Sequence, residues 1–390
     1  MKNKISILTA TRAEYGLLKP IIQKLIEVPE FDVRVVVTGA HLSSEFGLTY
    51  KEIELDDIAI DEKIEILLSA DTPSAISKSM GLAMISFADY FDRIKPDMLI
   101  VLGDRYETLA VCIVAMNQRI PIAHLYGGES SEGLIDECIR HSITKMSYLH
   151  FTSTEKYRKR VIQLGEDPSR VFDVGAIGVE NTKKLRLLEK LELAKSIDFE
   201  INKPYAVVTF HPVTLEKESS REQMIQLLEA IDSHKELNYI FTKANSDTDG
   251  RIINYCIEQY VSSNSNCIAV TSLGVNRYLS AIKYCAFAIG NSSSGIIEVP
   301  SFKKPTINIG DRQKGRIQAK SIINCKPDSE QIKKAMDVAM SDDFRKQLKN
   351  VVNPYERPDT SNRIVAEIRE WVLSSKLEIK KKFYDVEVNH

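Results

Sequence analysis

The chain has 390 residues, 43% of them hydrophobic, with 52 Lys and Arg against 54 Asp and Glu. Single hydrophobic cores stop growing at roughly 250–300 residues, so this length predicts two domains. A formal net charge of −2 gives no field that gathers polyanions, which argues against nucleic acid as a partner.

The opening MKNKISILTATRAEYG has a short apolar run followed at once by Arg12 and Glu14, with no small-residue cleavage site. It is not expected to be a secretory signal. No stretch of about 18 uninterrupted apolar residues exists to span a membrane, and a cytoplasmic protein is expected. KISILTA is the first predicted strand, YGLLKPIIQKLIEV the first helix, and DVRVVVTG the second strand, ending near His41. DMLIVLGD, IPIAHLYGG and LHFTST follow as strands, with helices over ETLAVCIVAMNQR and DECIRHSITKMS. Apolar β-branched runs alternating with helical periods read as a parallel sheet with covering helices. Cys112, Cys138, Cys256, Cys267, Cys285 and Cys325 form no CxxC pair, so neither a zinc site nor a redox motif is predicted.

A charge-rich helical segment, NTKKLRLLEKLELAKSIDFEINK, reads as a linker. The alternation then restarts, with YAVVTFHP, NYIFTKAN, CIAVTS, CAFAIGNSS and PTINIGD as strands and QMIQLLEAIDSHK and RYLSAIKYC as helices. SNRIVAEIREWVLSSKLEIKKKF reads as one long helix with Trp371 on its apolar side. The expected fold class is α/β, two Rossmann-like doubly wound domains facing a cleft. The N-terminal domain takes residues 1–175, the C-terminal domain residues 176–357, and a helix over 358–390 packs across them. Open α/β sheets bind ligands at the carboxyl ends of their strands, so chemistry is sought there.

CAFAIGNSSSGIIEVP places a buried strand before a Ser-rich turn and a helix starting at Gly295 or just before. Free backbone N–H groups at such a start suit a diphosphate, and Ser292, Ser293 and Ser294 add hydroxyls. An ordinary N-capping loop is the alternative. Glu298, one turn on, suits the hydroxyls of a ribose. Arg12 ends the first strand, where a guanidinium can bind phosphate, and Arg312 follows another strand; for both, a solvent-facing arginine is equally open. Asp104 and Arg105 follow DMLIV, Glu129 follows the next strand, and Asp136 opens the helix leading to Arg140 and His141. Acids at neighbouring strand ends predict proton transfer, since clustered carboxylates titrate closer to neutral. Capping by Asp136 and pairing of Glu129 with Arg140 are the bland readings. His211, at the end of the second domain's first strand, is either cleft-facing or structural. His41, Asn245 and Asp247 are further polar groups at strand ends.

LGDRYE, GGE, IDECIRHSITKMS, TFHPVT, GNSSSGIIEVPS and NIGDRQKGR occur together in that order. In them the sequence resembles the bacterial hydrolysing UDP-N-acetylglucosamine 2-epimerases of sialic acid biosynthesis, over nearly the whole chain. The resemblance implies the GT-B-like fold of one large group of glycosyltransferases, with UDP held mainly by the second domain, and a homodimer. It implies that Ser292 and Ser293 contact the diphosphate, Glu298 the ribose, Arg12 and His211 the phosphate and sugar region, and Arg312 the nucleotide side. Asp104 and Asp136 match acids implicated in the chemistry. Many such enzymes carry Glu three residues before the GGE glutamate, where this chain has Tyr126. A second departure is Leu17, where some relatives have lysine.

No GxGxxG nicotinamide fingerprint or metal constellation is visible, so no cofactor and no metal are expected. The implied route is elimination of UDP to 2-acetamidoglucal, then hydration to free N-acetylmannosamine. Asp104, Glu129, Asp136 and His211 are its catalytic candidates. Arg12, His41, Arg105, Asn245, Asp247, Ser292, Ser293, Glu298 and Arg312 are its substrate-binding ones. The same reaction on UDP-2,4-diacetamido-2,4,6-trideoxyglucose stays open. A glycosyltransferase, or a UDP-sugar-binding protein without turnover, is disfavoured by the acid cluster.

Overall fold

The computed structural model describes residues 2–70, 72–132, 134–213, 219–244, 250–374 and 377–387. They form two compact units, the first comprising Met1–Glu129, Asp136–Glu180 and Tyr355–His390, the second Ser130–Ile135 and Asn181–Pro354. No described helix is long and apolar enough to cross a membrane.

The first unit is built on seven strands: β1 (Asn3–Thr9), β2 (Phe31–Thr38), β3 (Ile60–Ile64), β4 (Met98–Leu102), β5 (Ile122–Leu125), β6 (Leu149–Thr152) and β7 (Val171–Asp173). They pair in parallel in the order β3-β2-β1-β4-β5-β6-β7. The five strands expected here all form. β3 and β7 were not expected, because both are sheet edges; β3 reads IDEKI with only its last residue buried, and β7 has three residues. On one face the 22-residue helix Pro73–Ile94, capped by Thr72, presses Ala83, Phe87, Tyr90 and Phe91 onto Leu8, Val36, Leu99 and Val101.

In the second unit, β8 (Tyr205–Thr209), β9 (Asn238–Thr242), β10 (Cys267–Val270), β11 (Phe287–Gly290), β12 (Thr306–Ile309) and β13 (Ile322–Cys325) form a parallel sheet in the order β10-β9-β8-β11-β12-β13. Only β13, a half-buried edge, lacked a strand signal in the sequence.

In both sheets the strand order reverses beside the first strand, between β1 and β4 and between β8 and β11. Doubly wound folds bind ligands at the carboxyl side of such a switch point, because the loops leave in opposite directions and open a crevice. The corners after β1 and β4 are thereby neighbours in one unit, and those after β8 and β11 in the other.

Two segments differ from the sequence reading. The expected linker contains the helix Lys190–Ser196, which puts Leu193, Ile197 and Ile201 onto Tyr205, Val207, Ile240 and Ile282. It is a covering layer of the second unit, with its few apolar residues at a four-residue spacing among charges. The last helix spans Thr360–Leu373 and stops there, with Ser374 in extended conformation, rather than continuing through Phe383. Within the first unit it packs beside the helix Arg12–Ile26, joined by Lys24 to Asn362 and Arg369 to Glu30, with Trp371 edge-on to Tyr148 at 5.8 Å.

Candidate active site

In the first unit the site is organised by Arg140, the largest of the fully buried side chains, at 1% exposure. It stands one turn into the helix Asp136–Met146. Its Nε donates to Asp104 Oδ2 at 2.8 Å, and Nη2 reaches the same carboxylate. Nη1 donates to Glu137 Oε2 at 2.7 Å and to the Glu129 carbonyl at 3.0 Å. Glu137 also accepts from His141 Nε2 at 3.3 Å. A buried guanidinium needs such partners, since its charge is costly in a dry interior. One cation thus joins the loops after β4 and β5 to the helix that follows. Asp136 opens that helix and is half-buried.

Glu129 is nearly enclosed, and its Oε1 accepts from Ser153 Oγ at 2.7 Å. Its approach depends on Gly128, at φ +77°, where an added Cβ would meet the Tyr157 carbonyl oxygen at 2.5 Å. The pairing of Glu129 with Arg140 foreseen in the sequence is made through the Glu129 main chain. Tyr126, at φ +68°, turns its hydroxyl to the Gly178 N–H at 3.3 Å, so its side chain is committed within the unit.

Arg105 forks onto the fully buried Glu107, with Nε and Nη2 each at 3.2 Å from a carboxylate oxygen, rather than being directed by its strand-end place alone. His41 has no exposed surface; Thr9 and Thr49 hydroxyls hold its two nitrogens at 2.9 and 2.8 Å, and burial lowers its pKa to about 4. A neutral imidazole tied on both sides supports a framework role. His124, on β5, is likewise pushed down to about 3 by burial and donates from Nε2 to the Gly103 carbonyl at 2.8 Å. It holds the turn that leads into Asp104.

Arg12 is half-buried at the first position of its helix, directly after the Thr11 cap. Beneath it sits Glu14, whose Oε2 accepts from the Ala10 and Thr11 N–H groups at 2.7 and 3.1 Å. Burial raises the Glu14 carboxyl to about 7, against the opposing charge of Arg105. The sequence reading gave Glu14, Glu137 and Asp104's partner Arg140 no site role. For Glu14 the available signal was the T-x-x-E capping box, which names a helix start and not a titrating acid.

In the second unit β11 ends at Gly290, and Ser292 caps the short helix Ser293–Ile297 by accepting from the Ser294 N–H at 3.4 Å. Glu298 closes that helix and is half-buried. Asn291, 1% exposed, connects the surrounding loops. Its Oδ1 accepts from the His211 N–H and its Nδ2 donates to the His211 carbonyl, both at 2.7 Å. Its own carbonyl accepts from Arg312 Nη1 at 3.1 Å and Gln313 Nε2 at 2.9 Å. The structure therefore brings together His211, Ser292, Ser293 and Arg312. Asn245 and Asp247 lie outside the described residues. Asn291 was missed because Asn between Gly and Ser reads simply as a turn residue.

Asn291→Ala should loosen both loops at once. The stability of the second unit, measured by chemical denaturation, is expected to fall by about 1–3 kcal/mol, the range for buried hydrogen-bonding groups left without a partner. Unchanged stability would mean that the His211 and Arg312 loops are held without Asn291.

The family described as UDP-N-acetylglucosamine 2-epimerase matches residues 23–369. The chain is 46% identical over 324 residues to the GDP/UDP-N,N'-diacetylbacillosamine 2-epimerase (hydrolyzing) of Campylobacter jejuni, covering 83% of this chain and 84% of that one. It is 40% identical over 384 residues to polysialic acid biosynthesis protein P7 of Escherichia coli, covering 98% and 97%. The crystal structure of UDP-GlcNAc 2-epimerase from Neisseria meningitidis bound to UDP-GlcNAc superposes with a TM-score of 0.79 at 18% identity, over 94% of this chain and 100% of that one. At that identity the likeness is one of fold.

Proposed function

The chain belongs to the UDP-N-acetylglucosamine 2-epimerase family, and from that premise we propose that it converts UDP-N-acetylglucosamine and water to N-acetylmannosamine and UDP. The observation that carries this reading is the buried Arg140 gathering Asp104, Glu137 and the Glu129 main chain at the carboxyl ends of β4 and β5.

The C2 hydrogen of the sugar is too weakly acidic to remove unaided. Departure of UDP from C1 places positive charge beside it and makes it removable, so stabilising the leaving diphosphate lowers the same barrier. In this reading Arg12, His211, Ser292, Ser293 and Arg312 serve the diphosphate, and Glu298 the ribose. Asp104, Glu129 and Asp136 serve proton transfer: one carboxylate removes the C2 proton to give the glycal. Water then adds at C1 and C2 is reprotonated from the other face. Asp104 and Asp136 are better supported than Glu129 for contact with the sugar, since both are half-buried while the Glu129 carboxylate is turned to Ser153. The protein acts in the cytoplasm as a homodimer.

A second reading takes UDP-2,4-diacetamido-2,4,6-trideoxyglucose as substrate, and the 46% identity to a diacetylbacillosamine enzyme favours it. Each UDP-sugar is incubated with the protein in D₂O, and the released sugar is followed early by NMR. Free N-acetylmannosamine carrying deuterium at C2 is the expected product. Turnover confined to the diacetamido sugar would replace the first reading by the second. Retention of the original C2 hydrogen would exclude elimination, and an epimerised sugar still bound to UDP would exclude hydrolysis.

A further inference from the structure

The first unit contains a buried charge cluster at the amino end of β6, away from the carboxyl ends of the strands, on residues the proposed chemistry does not use. Lys381 lies in the tail segment 377–387, beyond the last helix. Its Nζ donates to the carbonyls of Lys145 and Ser147 at 2.8 and 2.7 Å, and to Glu166 Oε1 and Oε2 at 3.0 and 2.9 Å. Glu166, 1% exposed, also accepts from Lys145 Nζ at 2.6 Å and from Nε2 of the fully buried His150 at 3.0 Å. Burial alone would raise the Glu166 carboxyl, but His150, Lys145 and Lys381 outweigh it and hold it at about 2. The tail is seated specifically: the Tyr384 N–H donates to the Gly165 carbonyl at 2.9 Å, and a Cβ on Gly165 would meet the Phe383 ring at 2.2 Å.

The two elements joined here are the two that support the acids. Lys145 lies in the last turn of the helix Asp136–Met146 and Ser147 directly follows it; the last carbonyls of a helix have no partner within it, and an ammonium there also complements the negative end of the dipole. That helix carries Asp136 and Arg140. His150 belongs to β6, and the residue after β6, Ser153, donates to Glu129. Arg140 is five residues from Lys145, about 7–8 Å along a rigid helix, so slippage at the clamped end moves the guanidinium that holds Asp104.

We propose that Lys381 is a positioning residue, the tail acting as a strap that sets the helix carrying Asp136 and Arg140 against β6. This rests on the epimerase reading above. Lys381→Met removes the ammonium and keeps most of the stem. A misplacement of about 1 Å at a reacting centre costs on the order of 10²-fold, so kcat should fall by about ten- to a hundredfold. The Kd for UDP should hold, because the groups proposed for the diphosphate, Arg12 included, lie outside the Lys381–Glu166 cluster. Lys381→Arg should recover most of kcat.

The double variant Lys381→Met with Glu166→Gln separates positioning from charge balance. It removes the buried carboxylate left short of a partner, and should recover Tm without recovering kcat. Wild-type kcat in Lys381→Met overturns the proposal, as does recovery of kcat together with Tm in the double variant. Parallel losses of kcat, UDP affinity and Tm in both variants overturn it too, since they report general unfolding. Failure of the wild-type chain to turn over either UDP-sugar would instead sink the epimerase reading and is visible before any variant is made.

Discussion

Asp104→Asn should lower kcat by about 10²–10⁴-fold, the range for loss of a general acid or base, while UDP affinity stays close to wild type. The half-buried carboxylate takes Nε and Nη2 of Arg140, and the amide preserves its shape while removing the charge and the proton-accepting group. Arg140 keeps Glu137 and the Glu129 carbonyl, so the guanidinium is not stranded in the way that makes removing one partner of a buried pair cost about 3–5 kcal/mol. The variant is therefore expected to fold, which near-ultraviolet circular dichroism and Tm check. Glu137→Gln removes another of Arg140's charged partners and leaves Asp104 in place; a clearly smaller fall in kcat is expected. If a folded Asp104→Asn variant keeps wild-type kcat, Asp104 is an ion-pair partner only, and proton transfer belongs to another acid.

Gly290→Ala should abolish measurable UDP binding and destabilise the second unit by more than about 4 kcal/mol, a size that marks a specific steric fault rather than an average substitution. Gly290 sits at φ +135°, a conformation that side chains rarely adopt, and an added Cβ would lie 1.9 Å from the Thr209 carbonyl oxygen. Neither atom can yield cheaply, because Gly290 pairs with Thr209 in the ladder of β11 and β8, and the next N–H, of Asn291, donates to that same carbonyl at 3.1 Å. Relief requires the strand end to move. Asn291 would move with it, carrying the His211 and Arg312 loops. Gly310→Ala is the control. It has φ +70° but its nearest neighbour is Pro327 Cδ at 3.9 Å, so it carries left-handed strain without a clash, worth about 1–2 kcal/mol. Equal chemical-denaturation midpoints for the two variants would show that the contact with Thr209 is not what constrains the loop.

The sequence by itself determined the two α/β units and the segments that form their central strands. Apolar runs such as KISILTA and CAFAIG are buried along nearly their whole length, and burial on both faces leaves an apolar signature that needs no partner to be read. It also placed Asp104, Glu129, His211 and the Ser292–Ser293 corner just beyond the carboxyl ends of strands, because strand ends are visible as a change from apolar to polar; their roles toward a ligand stay a proposal. Only the tertiary structure decided what those residues hold. The edge strands β3, β7 and β13 carry little burial signal and form by pairing with a neighbour already in place. The linker's helix Lys190–Ser196 became a covering layer because the second sheet offered an apolar face to Leu193, Ile197 and Ile201. Arg140 meets Asp104 across 36 residues, Asn291 meets His211 across 80, and Lys381 meets Glu166 across 215. A hydrogen bond depends on distance and direction in space, and at those separations nothing in local residue order encodes either.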